Sequence, residues 1–147
     1  MTCPHRRRAN GLSAVILLLY VGSTTAAGRL VVNFEGIPSD SGFIVASLVD
    51  SAEQFLSREH EPVASHGAEI KNGMATWVIE NLAFGKYAIS AYHDANSNAE
   101  LDTGLFGIPT EDYGFSNNAR ASFGAPDYAD VEFEFTRSGQ SLTIRID

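Results

Sequence analysis

Apolar residues recur at every second position in short runs, and turn-forming residues separate the runs. Val131, Phe133 and Phe135 alternate with Glu132 and Glu134, and Leu142, Ile144 and Ile146 alternate with Thr143 and Arg145. A period of two puts alternate side chains on opposite faces of a pleated strand, so such runs bury one face as strands and scatter it as helices. Residues 29–34, 43–49, 63–71, 74–79 and 87–92 read as strands in the same way. In the last of these, Tyr87, Ile89 and Ala91 share one face, and Ala88, Ser90 and Tyr92 the other. Seven strands with regular turns predict an all-β fold, a seven-stranded antiparallel β-sandwich of the immunoglobulin-like kind.

Turn chemistry sets the punctuation. Pro38-Ser39-Asp40-Ser41-Gly42 separates the first two strands, which are expected to pair as a hairpin. Asn72-Gly73 suits a type I′ turn, which needs positive φ at both central residues, and predicts a second hairpin. Ser51 is placed to cap a short helical turn through Phe55, with Gln54 three positions on. One long irregular segment, from Asp94 to about Ala129, interrupts the pattern. It carries Leu105, Phe106, Ile108, Tyr113, Phe115, Phe123 and Tyr128, too many large apolar groups for a solvated tail. These are expected to pack on the sandwich.

The N-terminus has to be set apart from the fold. Arg6-Arg7-Arg8, the apolar run Leu12 to Val21 and the small residues Ser23 to Ala27 make the three parts of a secretory signal. The apolar run is about half the roughly 20 residues of a membrane span. Residues 1–27 are therefore expected to be a signal peptide cleaved near Ala27, by general secretion, and 28–147 a single domain in the periplasm or outside the cell, with no membrane span. Cys3 is the only cysteine, so that domain has no disulfide. Of the ten basic residues three lie in the leader, which leaves seven against 18 acidic ones, a net charge of −11. Such a surface repels nucleic acid and anionic membranes and attracts cations.

Cation chemistry has a definite address. Asp94, Asn96, Asn98, Glu100 and Asp102 lie in one run, Tyr92-His93-Asp94-Ala95-Asn96-Ser97-Asn98-Ala99-Glu100-Leu101-Asp102. In a calcium-loop numbering, Asp94, Asn96 and Asn98 occupy positions one, three and five. Glu100 offers its carbonyl at seven, and Asp102 stands at nine. Ala99 replaces the usual Gly at six, and Leu105 stands at twelve in place of the bidentate Glu. Glu111 or Asp112 is the nearest substitute. Ca²⁺ bound this way is held weakly, with a dissociation constant on the order of 10⁻⁴ to 10⁻³ M. The competing reading is a polar loop of Asx-turns that caps its own backbone.

Other chemistry is thinly represented. His60, His66 and His93 match no compact zinc spacing; His93 adjoins Asp94 and is placed to orient the loop. Ser116 has no base beside it in sequence, and there is no nucleophile elbow or phosphate-cradling loop. A carboxylate pair drawn from Asp94, Asp102, Glu111 and Asp112 would suit glycoside hydrolysis, yet cation binding or a polar loop explains the cluster equally well. A non-enzymatic module is expected. A metal-free alternative is a carbohydrate- or peptide-binding site on residues 104–126, using His93, Glu111, Tyr113, Phe115, Ser116 and Asn117.

Three stretches together carry a family resemblance: the Tyr92–Asp102 run; Phe106-Gly107-Ile108-Pro109-x-Glu111-x-Tyr113-Gly114-Phe115-Ser116-Asn117-Asn118; and Phe123-Gly124-x-Pro126. They resemble the signature of the bacterial secreted domain of unknown function 2141 family, over nearly all of 28–147. The family usually has Gly where this chain has Ala99 and a basic residue where it has Glu100. The Gly85-Lys86-Tyr87 segment is also similar to prealbumin-like sandwiches of the carboxypeptidase-regulatory and collagen-adhesin B types, some of which carry an Asp/Asn calcium loop. Transthyretin-like hydrolases share such a sandwich but end in Tyr-Arg-Gly-Ser, whereas this chain ends in Leu142-Thr143-Ile144-Arg145-Ile146-Asp147. The resemblance implies a fold and a compartment, but no activity; a glycan or protein ligand as partner class is what the aromatic residues of the long segment suggest.

Overall fold

The computed structural model describes residues 26–147, and the leader expected over 1–27 lies outside them save for its last two residues. Eight strands form two packed sheets. In chain order they are β1 (Ala27–Glu35), β2 (Phe43–Val49), β3 (Ala64–Glu69), β4 (Ala75–Ala83), β5 (Gly85–Asp94), β6 (Tyr113–Phe115), β7 (Phe133–Phe135) and β8 (Gln140–Arg145). One sheet has the order β4-β1-β8, the other β3-β2-β5-β6, with β7 also pairing β5. The all-β sandwich reading holds, with eight strands in place of seven. The extra strand, β6, lies inside the segment expected to be irregular and pairs Ser90–Tyr92 of β5. A second difference is direction: β1 and β8 run parallel. Alternation reports which face of a strand is buried but not which way it runs.

Both expected hairpins are redirected. β1 and β2 lie in different sheets, because seven connecting residues can cross the roughly 10 Å between packed sheets. Asn72 and Gly73 take positive φ, 54° and 71°, and Lys71 pairs with Met74 across a tight turn as predicted. Beyond it the strands part, β3 joining β2 and β4 joining β1. The turn is held from outside. Asn72 and Gly73 donate their N–H groups to Asp40 Oδ2 and Oδ1 at 2.9 and 2.8 Å, and Ile37 donates to the Gly73 carbonyl. Each strand thereby turns its apolar positions inward from its own sheet.

The core between the sheets includes Leu30, Val32 and Phe34 of β1, Ile44, Ala46 and Leu48 of β2, Tyr87, Ile89 and Ala91 of β5, and Phe135 and Ile144. The face of β5 assigned to Tyr87, Ile89 and Ala91 is thus the core face. Its other face is covered too. Ala88 packs with Val49, Phe115 and Val131, and Phe55, Tyr113 and Tyr128 close over them. Phe55 meets Phe115 and Tyr128 edge-on at 5.8 and 5.9 Å between centroids.

This second cluster explains three further differences. Residues around Ser51 to Phe55 form turns and no helix, with Gln54 accepting the N–H of Asp50. A short helix, α1, forms instead at Tyr128–Val131, and Val131, expected in a strand, is its buried last residue. The apolar residues of the long segment divide. Tyr113, Phe115 and Tyr128 pack, whereas Leu105, Phe106, Ile108 and Phe123 stand 84%, 97%, 58% and 93% exposed. A strand buried on both faces leaves room for only some of them.

Candidate functional site

β5 carries the chain to His93 and Asp94, both buried although polar. The loop between β1 and β2 sits directly on this strand end. His93 Nε2 donates to the Ser41 carbonyl at 2.8 Å, and the His93 N–H to the Asp112 carbonyl at 2.9 Å. His93 therefore anchors the base of the loop from below. Gly42 makes this approach feasible: it has φ +73°, and a Cβ there would lie 1.8 Å from the Asp94 carbonyl oxygen.

From Asp94 the backbone curls around side-chain oxygens. Asp94 Oδ1 accepts the N–H of Asn98 at 3.0 Å, and Oδ2 accepts that of Ala99 at 2.8 Å. Asn96 Oδ1 also accepts from Asn98 N–H, and Asn98 Oδ1 accepts from Glu100 N–H at 2.8 Å. The bonds of Asn96 and Asn98 are successive Asx-turns at positions three and five, and Asp94 at position one reaches farther, to the N–H groups four and five residues on. They need a left-handed residue at position six. Ala99 takes φ 61°, so the chain makes the bend that Gly would make at ease.

The carboxylate of Asp102 closes the loop. Asn96 and Asn98 donate their side-chain amides to its Oδ2 and Oδ1, at 2.6 and 3.0 Å. Glu111 then fastens both ends, accepting from Ala95 N–H through Oε1 at 3.2 Å and from Asp102 N–H through Oε2 at 3.0 Å. Asp94, Asn96, Asn98, Asp102 and Glu111 are thus brought together. Glu100 is exposed and contributes its N–H, and Asp112 contributes only backbone.

The charge of this loop is uncompensated. Five ion pairs join the described residues, and none involves Asp94, Asp102 or Glu111. Tyr92, beside the loop, registers the field. Its phenol is pushed above the ordinary range first by burial and then by Asp94, Glu111, Glu100 and Asp102. Among the described residues no three His, Cys, Asp or Glu side chains gather as a metal cluster. A hard cation here would have to draw instead on the carboxylates of Asp94 and Asp102, two carboxamide oxygens and a backbone carbonyl, oxygen ligands of the kind Ca²⁺ takes.

The residues of the metal-free alternative do not converge on a surface. Phe115 and Ser116 are buried. Ser116 Oγ accepts from Ile89 N–H at 2.9 Å and donates to the Val131 carbonyl at 2.5 Å, tying α1 to β5. The Asn117 amide donates to the carbonyls of Asp130 and Glu132. Tyr113 is half-buried in the second cluster. These four hold the long segment on the sheet, a role that alternation and motif spacing do not announce. The histidines are likewise dispersed. His60 Nδ1 bonds Ser57 Oγ at 3.1 Å, and His66 stacks on Trp77.

No helix among the described residues is long and apolar enough to cross a membrane. A family model described as an uncharacterized protein conserved in bacteria (DUF2141) matches residues 32–143. No curated protein and no solved structure matches the chain.

Proposed function

We propose that this chain, which belongs to the DUF2141 family, is an exported, non-enzymatic β-sandwich module that takes up Ca²⁺ in the Asp94–Asp102 loop. The observation that carries the reading is the loop's backbone. Asp94 receives the N–H groups of positions five and six while Ala99 adopts the left-handed bend, as a calcium loop requires. A cation there would draw on the side-chain oxygens of Asp94, Asn96 and Asn98, which accept backbone N–H groups in its absence. Asp102 and the Glu100 carbonyl would complete the set, while Glu111 fastens the two ends of the loop through the N–H groups of Ala95 and Asp102.

The bonds from Asn96 and Asn98 to Asp102 have to be exchanged for metal contacts, which supports weak binding. Among the described residues no Lys or Arg pairs with Asp94, Asp102 or Glu111, so a bound cation would relieve a local excess of negative charge. A non-enzymatic role is supported by Ser116, whose hydroxyl is committed to backbone groups. The metal-free reading draws support from the exposure of Leu105, Phe106 and Phe123, but not from Tyr113 or Phe115, which are packed away.

Thermal unfolding in EDTA, in about 5 mM Mg²⁺ and in about 5 mM Ca²⁺ tests this, the concentration being several-fold above the expected dissociation constant. Ca²⁺ alone is expected to stabilise the fold by about 1–2 kcal/mol. Asn98→Ala, which leaves the buried Asp94 in place, is expected to remove most of that gain. Equal stability in all three solutions overturns the reading.

A further inference from the structure

An edge strand leaves half of its backbone donors and acceptors unpaired, and folds shorten, cover or charge such edges against stray pairing. The edges of this sandwich are treated unequally. β8 ends one side of the three-stranded sheet, and Asn118 caps it. Its Oδ1 accepts the Arg145 N–H at 2.8 Å, and its amide donates to the Thr143 carbonyl at 3.3 Å. β3, an edge of the other sheet, is short, polar and interrupted by Gly67.

β4 ends the other side of the three-stranded sheet with no such device. Among the described residues only β1 bonds the main chain of residues 75–80. This stretch holds no Pro and no Lys, and no charge before Glu80. The register shift against β1 and the positive φ of Asn81, 54°, come only after it. Its outward face presents Thr76, Val78 and Glu80, and Met74 at its entrance is 57% exposed. Below the edge His66 stacks on Trp77 at 5.8 Å between centroids, which keeps the core closed there. The edge is therefore bare, straight and backed by a sealed core, the properties of a strand that another strand can join.

Charge and register identify the joining strand. Residues 62–79 contain one Glu and one Lys, Glu69 and Lys71, which pair at 3.7 Å, in a domain whose net charge is −11. This flank is thus a neutral zone where two copies meet with little local repulsion. β4 is also complementary to itself. Residues opposed across an antiparallel pair share a face, so a two-fold axis at Val78 sets Val78 against Val78 and Thr76 against Glu80 on both sides. Two β-branched side chains then meet at the centre, and no like charges are opposed. We infer that two copies of this chain pair antiparallel through β4, joining their three-stranded sheets into one of six strands. The inference does not depend on calcium.

Sedimentation velocity over about a hundredfold range of concentration tests it, using the chain as processed by a bacterial host. A dimer is expected at the upper end. Its dissociation constant is expected to fall as NaCl is added, because screening relieves the repulsion between two acidic bodies. Thr76→Glu sets a carboxylate against the partner's Glu80 twice in each dimer, and is expected to weaken association about tenfold. Thr76→Lys makes the opposite pairing and is expected to associate as well as the unaltered chain or better. Thr76 is exposed, so thermal unfolding of both variants as monomers is expected to match that of the unaltered chain. A monomer at every concentration overturns the inference, including one whose β4 edge takes up an extended peptide. A dimer on which Thr76→Glu and Thr76→Lys act alike overturns it too. So does a dimer that Leu105→Ser/Phe106→Ser dissolves and Thr76→Glu does not, which puts the contact on the exposed residues of the long segment.

Discussion

The carboxylate of Glu111 accepts the N–H of Asp102 at 3.0 Å through one oxygen and that of Ala95 at 3.2 Å through the other. One side chain from the approach to β6 thus spans the start and end of the Asp94–Asp102 loop. Glu111→Ala is expected to cost about 1–2 kcal/mol in urea denaturation. Amide hydrogen exchange at Ala95 and Asp102 is expected to accelerate. Unchanged exchange at both positions would show that the loop closes without Glu111.

Ala99 sits at φ 61° because Asp94 draws its N–H inward. A Cβ is disfavoured in that region by roughly 1–2 kcal/mol, against which Gly loses about 0.4–1 kcal/mol through unfolded-chain entropy. Ala99→Gly is therefore expected to stabilise the fold by several tenths of a kcal/mol to about 1 kcal/mol. Its calcium affinity, measured calorimetrically, is expected to rise. A destabilised Gly variant would contradict the left-handed assignment.

Ser116 is wholly buried and links Ile89 of β5 to Val131 of α1. Ser116→Ala leaves a buried N–H and a buried carbonyl without that partner, at a cost of about 1–3 kcal/mol. Ser116→Cys, which keeps a weak donor, is expected to lose less. A neutral Ala variant in equilibrium unfolding would refute the clamp.

Asp40 gives the fold an acid-sensitive element. The Gly73 N–H and then the Asn72 N–H hold its carboxyl below the ordinary carboxylate value. With the folded value depressed, its stabilisation is present above the unfolded value of about 3.9 and is lost as pH falls through the folded one. Asp40→Asn is expected to flatten the stability profile on the acid side of about pH 4. An acid limb as steep as that of the unaltered chain would count against it.

Which residues face inward was readable from the chain itself, because a pleated strand imposes its period on any sequence that buries one face. The inward face of β8 follows from that alone, as does the separation of the two faces of β5, and turn chemistry marked the positive φ of Asn72 and Gly73. The spacing of Asp94, Asn96, Asn98 and Asp102 likewise marked a loop that bends around its own oxygens, since Asx-turns are local. Everything that depends on partners distant in sequence was decided by the tertiary structure. Asp40 and the core decide that the strands before Lys71 and after Met74 join opposite sheets, and β8 returns parallel to β1 because the chain arrives from the far sheet. Glu111 closes the loop from nine residues beyond Asp102, and the occupied outer face of β5 decides that Phe115 is buried while Phe106 is not. Local sequence sets dihedral preference and periodicity; only packing decides which of several equally apolar residues finds room inside.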